Sequence, residues 1–453
     1  MSMMRQAISE HCQQQWDTTI QSAAEGISPI RQRAWQRWQQ QGLPTRHQES
    51  WKYTRAEQFF TEPLLNNALK KTSVLPQKTG NPVIADIKQL SASINLDLIH
   101  KAISPQANSV LLYCIDGQFY SDQTNTSLFG GQLGDVSDPS LFIPAQDLLD
   151  EDSDGFALLN LALSPETLQL SIPADSQLTL HIAYIAARAG WYQPSVRIHV
   201  QPGSQLTLLE HTVSPADLSV SDSLWNSLTQ LHVAPSAEVI YVNLNQCAPS
   251  CQHVHQLLVD LDTSAQIQSW LAALGGNASR LQIIQRLAGR GSSATVNGLL
   301  LGQGQQHHDH RVVFRHLAEE TKSYCLHKGL LAGKSKGVFN GRILMTPEAH
   351  QAEGNMYSRN MLLSQGSRMH TKPELEIYHD AVRCAHGATV GQLDRQALQY
   401  LCSRGIASES ARQLLLAAFI QTLWQSLPKP LYEWLTQQVT PSFASVSEQM
   451  EAI

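Results

Sequence analysis

Cys384 and His386 stand two positions apart in the segment Thr371 to Gly391 (TKPELEIYHDAVRCAHGATVG), at the end of a stretch in which apolar and polar residues alternate. In a strand, residues i and i+2 face the same side, so this spacing sets a thiol beside an imidazole. Both groups are good ligands for a soft metal, and Glu374, Glu376 and Asp380 just upstream extend the donor set towards iron. The pair reads either as half of a metal site or as packing. His307, His308, Asp309 and His310 form a second cluster. On a strand His308 and His310 would share a face, for a metal held by imidazole and carboxylate, and the competing reading is the polar outer face of one coil. Cys247 and Cys251, followed by His253 and His255, resemble a zinc half-site. No second Cys/His pair at finger-like spacing accompanies them, which favours a loop with incidental thiols.

Two glycine-containing segments imitate phosphate sites. Gly329 to Ser335 (GLLAGKS) has three residues between its glycines where a P-loop needs four, and Lys328 stands where the first glycine should be. Gly289-Arg-Gly291-Ser-Ser-Ala294 imitates a dinucleotide fingerprint, yet the strand-like TVNGLLLG after it leaves no helix N-terminus for a pyrophosphate.

The elements that must position these residues divide the chain into three parts. Residues 3–25 and 29–41 read as glutamine-rich helices, with Ser28 and Pro29 as N-cap and first-turn residue and Gly42-Leu43-Pro44 as the stop. Trp51, Lys52 and Tyr53 follow, and residues 71–83 read as a linker, so 1–107 is expected to be an N-terminal helical domain with its linker. From 108 to 391 the pattern changes to short alternating strands. A turn-and-strand phrase recurs there, as PGSQLTLLEH from Pro202, PSAEVIYVNL from Pro235, TSAQIQSWL from Thr263, RGSSATVNGLLLG from Arg290, TKSYCLHKGLLAG from Thr321, KSKGVFNGRILM from Lys334 and QGSRMHTKPELEIY from Gln365. The spacing is roughly thirty residues with one shorter interval, a period in the range of stacked repeats. Each coil of a β-solenoid turns a corner and buries one face against its neighbours, which this phrase suits better than it suits a sandwich.

After Gly391 the period becomes helical, and 392–453 is expected to be a C-terminal helical domain. Leu393 to Cys402 makes one short segment, Gly405 breaks it, and Ser408 caps a helix running towards Pro428. Ala411, Leu414, Leu415, Ala418, Phe419 and Leu423 form a wide apolar stripe on it, and a further helix starts at Pro430. The stripe reads first as the domain's own core. Exposed Trp424 and Trp434 would then let the domain cover the solenoid end or serve as a docking surface.

Composition narrows the partners. The 453 residues give a prior of two or three domains, and 42% apolar content supports a large core. A net charge of -6 with no basic run argues against nucleic acid. The N-terminus lacks an apolar signal region and no stretch has the length of a membrane span, so the expected compartment is the cytosol. The seven cysteines, Cys12, Cys114, Cys247, Cys251, Cys325, Cys384 and Cys402, do not resemble a disulfide framework and are read as reduced thiols. Eighteen histidines gather mainly in the second half, a further hint of metal.

Several motifs in order then match a family. Lys336-Gly-Val-Phe-Asn-Gly-Arg342, Arg359-Asn-Met-Leu-Leu-Ser364, TKPELEIY ending at Tyr378, Cys384-Ala-His-Gly-Ala-Thr-Val-Gly391, Ser403-Arg-Gly-Ile406 and Glu49-Ser-Trp-Lys-Tyr53 together resemble the SufB/SufD scaffolds of the SUF iron-sulfur cluster assembly complex. The Trp-Lys-Tyr motif and the intact Cys-x-His-Gly-Ala-Thr segment favour the SufD side. The resemblance implies a right-handed parallel β-helix flanked by helical domains. It implies pairing with SufB, and one copy of the ATPase SufC docked on the C-terminal helices, which carries the contact to Arg404, Gly405, Ile406, Leu415 and Phe419. It also implies a transient cluster formed at the interface with SufB, with His386 as a ligand and Cys384 as the matching thiol. Two departures stand out. Asp380 is followed by Ala381 where the family has a second acidic residue, and Asn355-Met356-Tyr357 replaces a Gln-rich stretch.

The expected function is therefore a non-catalytic scaffold without a tightly bound cofactor of its own, able to form a homodimer when isolated. Two other classes compete. A β-helix carbohydrate-active enzyme would need clustered carboxylates on one coil, and here the acidic residues are dispersed. A self-associating structural protein would pair its edge coils with copies of itself.

Overall fold

Alternating strands joined by tight corners stack into a parallel β-solenoid, flanked by helices from both ends of the chain. The computed structural model describes residues 3–22, 28–62, 64–65, 85–86, 109–121, 154–165, 167–214 and 222–448. The expected linker at 71–83 lies outside the described residues. The strands are β1 (Ala85–Asp86), β2 (Val110–Ile115), β3 (Gln118–Ser121), β4 (Thr167–Ile172), β5 (Gln177–Ile185), β6 (Gly190–Tyr192), β7 (Ser195–Val200), β8 (Gln205–Val213), β9 (Ser223–Val233) and β10 (Glu238–Gln246). They continue as β11 (Cys251–Leu261), β12 (Gln266–Ala273), β13 (Ala278–Leu287), β14 (Ser293–Gly302), β15 (His307–His316), β16 (Lys322–Leu331), β17 (Lys336–Met345), β18 (Glu353–Leu362), β19 (Arg368–Ile377) and β20 (Arg383–Gly391). The helices are α1 (Met3–Ser22), α2 (Pro29–Gln41), α3 (Gly155–Leu163), α4 (Arg395–Ser403), α5 (Ser408–Gln421) and α6 (Lys429–Glu448).

From β7 onward successive strands alternate between two sheets, and β6 pairs with β9 of the second. The first sheet runs β1-β3-β2-β5-β8-β10-β12-β14-β16-β18-β20 and the second β19-β17-β15-β13-β11-β9-β7-β4. Gln205 is in register with Glu238, Glu238 with Gln266, Gln266 with Ser293, Ser293 with Lys322, Lys322 with Glu353 and Glu353 with Arg383, a repeat of about thirty residues. The recurring phrase has a backbone cause. Gly203, Ser236, Ser264, Gly291, Glu320 and Gln351 all have positive φ. They form a column up one corner in which each N–H donates to a carbonyl of the next coil's turn, from Gly203 to Pro235, Ser236 to Thr263, Ser264 to Arg290, Gly291 to Glu319, Glu320 to His350 and Gln351 to Ala381. The left-handed conformation suits small residues, which is why Gly and Ser dominate the phrase. The one short interval arises because Lys334 and Gln365 lead into strands of the second sheet.

Inward residues of both sheets make the core, including Ile182, Leu208, Leu257, Ile283, Val312, Phe314 and Met356. The helical parts cover outer faces rather than ends. The N-terminal helices and α3 pack Trp35, Trp38, Trp51, Phe59 and Phe156 against outward Leu224, Val254, Ile284 and Val313 of the second sheet. The C-terminal helices pack Leu416, Ile420, Trp424 and Leu435 against outward Val242, Trp270, Leu299 and Leu330 of the first. The expected cover over the solenoid end is thus replaced by a side wall. Among the described residues no helix is long and apolar enough to cross a membrane.

Ser28 caps α2 as expected, accepting from the Arg31 N–H. Three C-terminal expectations need correction. Ser408 is the first residue of α5, its N-cap is Ala407 without a side-chain bond, and the capped helix is α4, where Asp394 accepts from Gln396 and Ala397. The buried stripe of α5 runs through Ala411, Leu416 and Ile420, leaving Leu414 53% exposed and Ala418 exposed. Trp424 and Trp434 are only 2% and 6% exposed, so neither is a docking surface. The Trp270 indole donates to the Leu423 carbonyl at 2.8 Å, and Trp434 meets His181 and His211 edge to face.

Candidate functional site

The last coil is built from β19 and β20, each of which, among the described residues, pairs on one side only, with β17 and β18. Register decides which way their side chains point. Cys384 lies beside Gly354 and His386 beside Met356, and Met356 is fully buried between the sheets. Alternation therefore turns both Cys384 and His386 towards the lumen, with no further coil above them among the described residues. Cys384 is half-buried against the core, and burial pushes its thiol pKa up. His386 is exposed, and its imidazole has no side-chain hydrogen bond to the described residues. The sequence spacing is confirmed in its geometric part, a thiol and an imidazole on one face of one strand.

The upstream carboxylates do not join them. On β19 the inward positions are Met369, Thr371, Pro373 and Leu375, in register with Gly337, Phe339, Gly341 and Ile343. Glu374 and Glu376 alternate outward, where Glu374 pairs with Lys372 at 2.7 Å and Glu376 pairs with Arg342. Asp380 is exposed in the following corner. Among the described residues no three His, Cys, Asp or Glu side chains gather to hold a metal ion. At the open end the chain offers two donors, which is half of a tetrahedral set.

The other His-rich segments are structural. His307, His308, Asp309 and His310 are all buried, so the reading as a polar outer face is overturned together with the metal reading. His308 Nδ1 lies 2.6 Å from Ser279 Oγ and His310 Nδ1 lies 3.1 Å from His327 Nε2, both inside the lumen. Burial lowers His308 and His327 to about 3, which keeps these imidazoles neutral. His307 and Asp309 point the other way, beneath Thr54 of the N-terminal part. Cys247 and Cys251 are buried thiols, His253 Nε2 meets Thr212 Oγ1 at 3.2 Å, and His255 Nδ1 lies 2.7 Å from Ser227 Oγ.

A lumen network around Glu210 was not anticipated from sequence. Its carboxylate accepts from Tyr184 at 2.5 Å, Thr229 at 2.7 Å and Tyr241 at 2.6 Å, and faces His255 at 3.2 Å. Burial opposes its ionisation, but His255 and the two tyrosine hydroxyls outweigh that and bring its pKa down to about 2. The signal was a lone acid at an inward position of QLTLLEHTV.

The phosphate look-alikes have packing reasons. A Cβ on Gly289 would meet the Thr263 nitrogen at 2.0 Å, so this glycine marks close approach of two turns. Lys328 donates from its ammonium to the Phe419 carbonyl and to Thr422 Oγ1.

Of the predicted C-terminal contact residues, Arg404, Gly405 and Ile406 form the α4–α5 turn, and Leu415 and Phe419 lie further along α5. Arg404 is exposed, with its guanidinium 5.2 Å from the Tyr400 ring, and Gly405 and Ile406 complete the turn. Leu415 and Phe419 are partly buried against the C-terminal core. Helix α4 has no buried residue.

Comparison with known proteins bears on this arrangement. Residues 184–419 match the family model for the SUF system FeS cluster assembly SufBD core domain, and residues 2–80 match that for the SufBD protein N-terminal region. The chain is 28% identical over 440 residues to iron-sulfur cluster assembly protein SufD of Escherichia coli (strain K12), covering 95% of this chain and 96% of that protein. An iron-sulfur cluster assembly SufBD family protein of Synechocystis sp. is 24% identical over 343 residues, with 72% and 75% covered. Iron-sulfur cluster assembly protein SufD of Bacillus subtilis (strain 168) is 24% identical over 234 residues, with 51% and 53% covered.

Proposed function

Because the chain belongs to the SufBD family and so has a role in iron-sulfur cluster assembly, we propose that it is a non-catalytic scaffold that pairs with SufB through the open end of its solenoid. The observation that carries this reading is His386, an exposed lumen-facing imidazole on an edge strand with no side-chain hydrogen bond to the described residues. The free edges of β19 and β20 present unpaired backbone groups, ready to accept strands of a second solenoid. Ile377, Tyr378 and Val390, three of the exposed large apolar residues, lie in or beside the same two strands. Such a patch suits burial against a partner.

In this proposal His386 donates an imidazole nitrogen to the nascent cluster, which is cargo, and the partner supplies thiolate from the facing side. Cys384 stands next to it, recessed into the core, and serves as a second donor only in its deprotonated form. The ATPase SufC docks on α4, the α4–α5 turn and the neighbouring part of α5, through Arg404, Gly405, Ile406, Leu415 and Phe419. The exposed and unburied surface of α4 supports that placement. All seven cysteines are free thiols, in keeping with a cytoplasmic, reducing setting.

The test is His386→Ala in the reconstituted complex, read by cluster absorption and iron content. Loss of cluster with an intact complex is expected, and unchanged cluster formation would overturn the ligand role. The same free edge also admits a second copy of this chain. Copurification separates the two, since SufB and SufC should displace any homodimer.

A further inference from the structure

Residues Glu49 to Thr54 lie on the outer face of the second sheet, touch β13, β15 and β19, and reach β11 through Asp154. The Trp51 indole donates to Asp154 at 3.1 Å, and Asp154 also accepts from Gln256 of β11 at 3.0 Å. Arg280 of β13 lays its guanidinium 4.0 Å from the Trp51 ring and donates to the Ser50 carbonyl at 3.1 Å. Thr54 bonds the Asp309 carboxylate and lies 3.0 Å from His307, both on β15. From both sides of Trp51 the segment also reaches the last coil. The Tyr53 ring stacks on His370 of β19, with centroids 4.3 Å apart and planes 9° apart, and Glu49 pairs with Lys372 of the same strand.

A terminal solenoid coil lacks a neighbour on one side, and such coils ordinarily need a cap to stay ordered. Here a cap over β19 would hide the free edge. We infer that Glu49–Thr54 is a lateral strap, which holds the terminal coil in register from its flank and leaves its end open, with Tyr53 and Glu49 as the positioning residues. The anchor at Trp51, Arg280 and Asp309 is buried, whereas the contacts to β19 are half-exposed, so the strap grips the last coil from a buried base. Its role does not depend on what pairs with the open end.

The experiment is hydrogen exchange by mass spectrometry on the full chain, comparing wild type with a Tyr53→Ala, Glu49→Lys double variant. Exchange over β19 is expected to quicken about fivefold to tenfold, while β11, β13 and β15 keep their protection. Tyr53→Phe, which keeps the ring stacked on His370, should retain protection. Unchanged exchange over β19, or an equal rise over all coils, would overturn the strap. Because the isolated chain is measured, these outcomes are separate from any failure of pairing with SufB.

Discussion

Lys328, on the outer wall of the solenoid, points its ammonium at the end of α5, 2.6 Å from the Thr422 hydroxyl and over the Phe419 ring at 4.6 Å. It also donates to the Phe419 carbonyl, one of the groups a helix C-terminus leaves without a partner. This side chain fastens the C-terminal helices to the sheet. Burial, with Arg359 adding repulsion, holds its pKa down at about 8 against an ordinary 10.5. The unfolded chain therefore binds the extra proton between those values, and the wild type gains stability as pH rises through that window. Lys328→Met should lower stability by about 1–2 kcal/mol near neutrality, because the Phe419 carbonyl and Thr422 lose their donor. The gap to wild type should widen between pH 8 and 10.5, as read by chemical denaturation.

Acid should weaken the solenoid through its buried imidazoles. Burial brings His253, His308, His316 and His327 down to about 3, with neighbouring histidines adding to the effect at His253 and His308, and brings His211 down to about 4. Folded values below the unfolded one mean stability is complete above roughly pH 6.5 and is lost as pH falls towards the folded values. Each such proton contributes roughly 1.4 kcal/mol per pH unit to the slope. Calorimetric Tm should be flat near neutrality and fall steeply below about pH 6, and His308→Gln should make that fall shallower.

The Arg280–Asp309 pair is fully buried. Arg280→Met leaves a buried carboxylate without its counter-ion and should cost about 3–5 kcal/mol, whereas Arg280→Met with Asp309→Leu should recover most of that. A double-mutant cycle in urea measures the difference.

Two turn substitutions should act in opposite directions. Gly289→Ala drives a methyl into the Asp262–Thr263 backbone, which cannot yield, and should prevent soluble expression. Ser236→Gly relieves a residue at φ 60° and should leave Tm unchanged or raise it slightly.

Thiol reactivity should rank the cysteines by exposure. Cys402 is exposed on α4 and should label first, Cys384 more slowly because burial raises its pKa, and the other five only on unfolding. Mass spectrometry after timed alkylation reads the order.

The solenoid and its open end were legible in sequence because their rules are local. A left-handed corner residue recurs in the chain, and TKPELEIY alternates visibly. The faces were harder. The strand from His307 to His316 is buried on both sides, inside by the lumen and outside by Thr54, whose partners Asp309 and His307 lie far along the chain. No periodicity marks such a strand as core. From Leu414 to Ile420 helix α5 is apolar all round, so only its seat against the sheet, shared with Trp270 and Leu330, decides that Leu416 is buried and Leu414 is not. Helix α3, GFALLNLAL, is wholly buried and has no polar face to reveal its period, although Asp154 caps it.

Parallel stacking also makes the solenoid a ruler. Each coil raises the chain by one strand spacing, about 4.8 Å, without changing the direction in which a given position points. The height of His386 above any earlier strand of its sheet is therefore quantised. Deleting a whole coil would lower His386 by one step and leave it facing the lumen. Deleting half a coil would carry it across to the opposite sheet. Reach at the open end can change only in such steps, so a chain of this design adjusts to a partner of different length by gaining or losing entire coils.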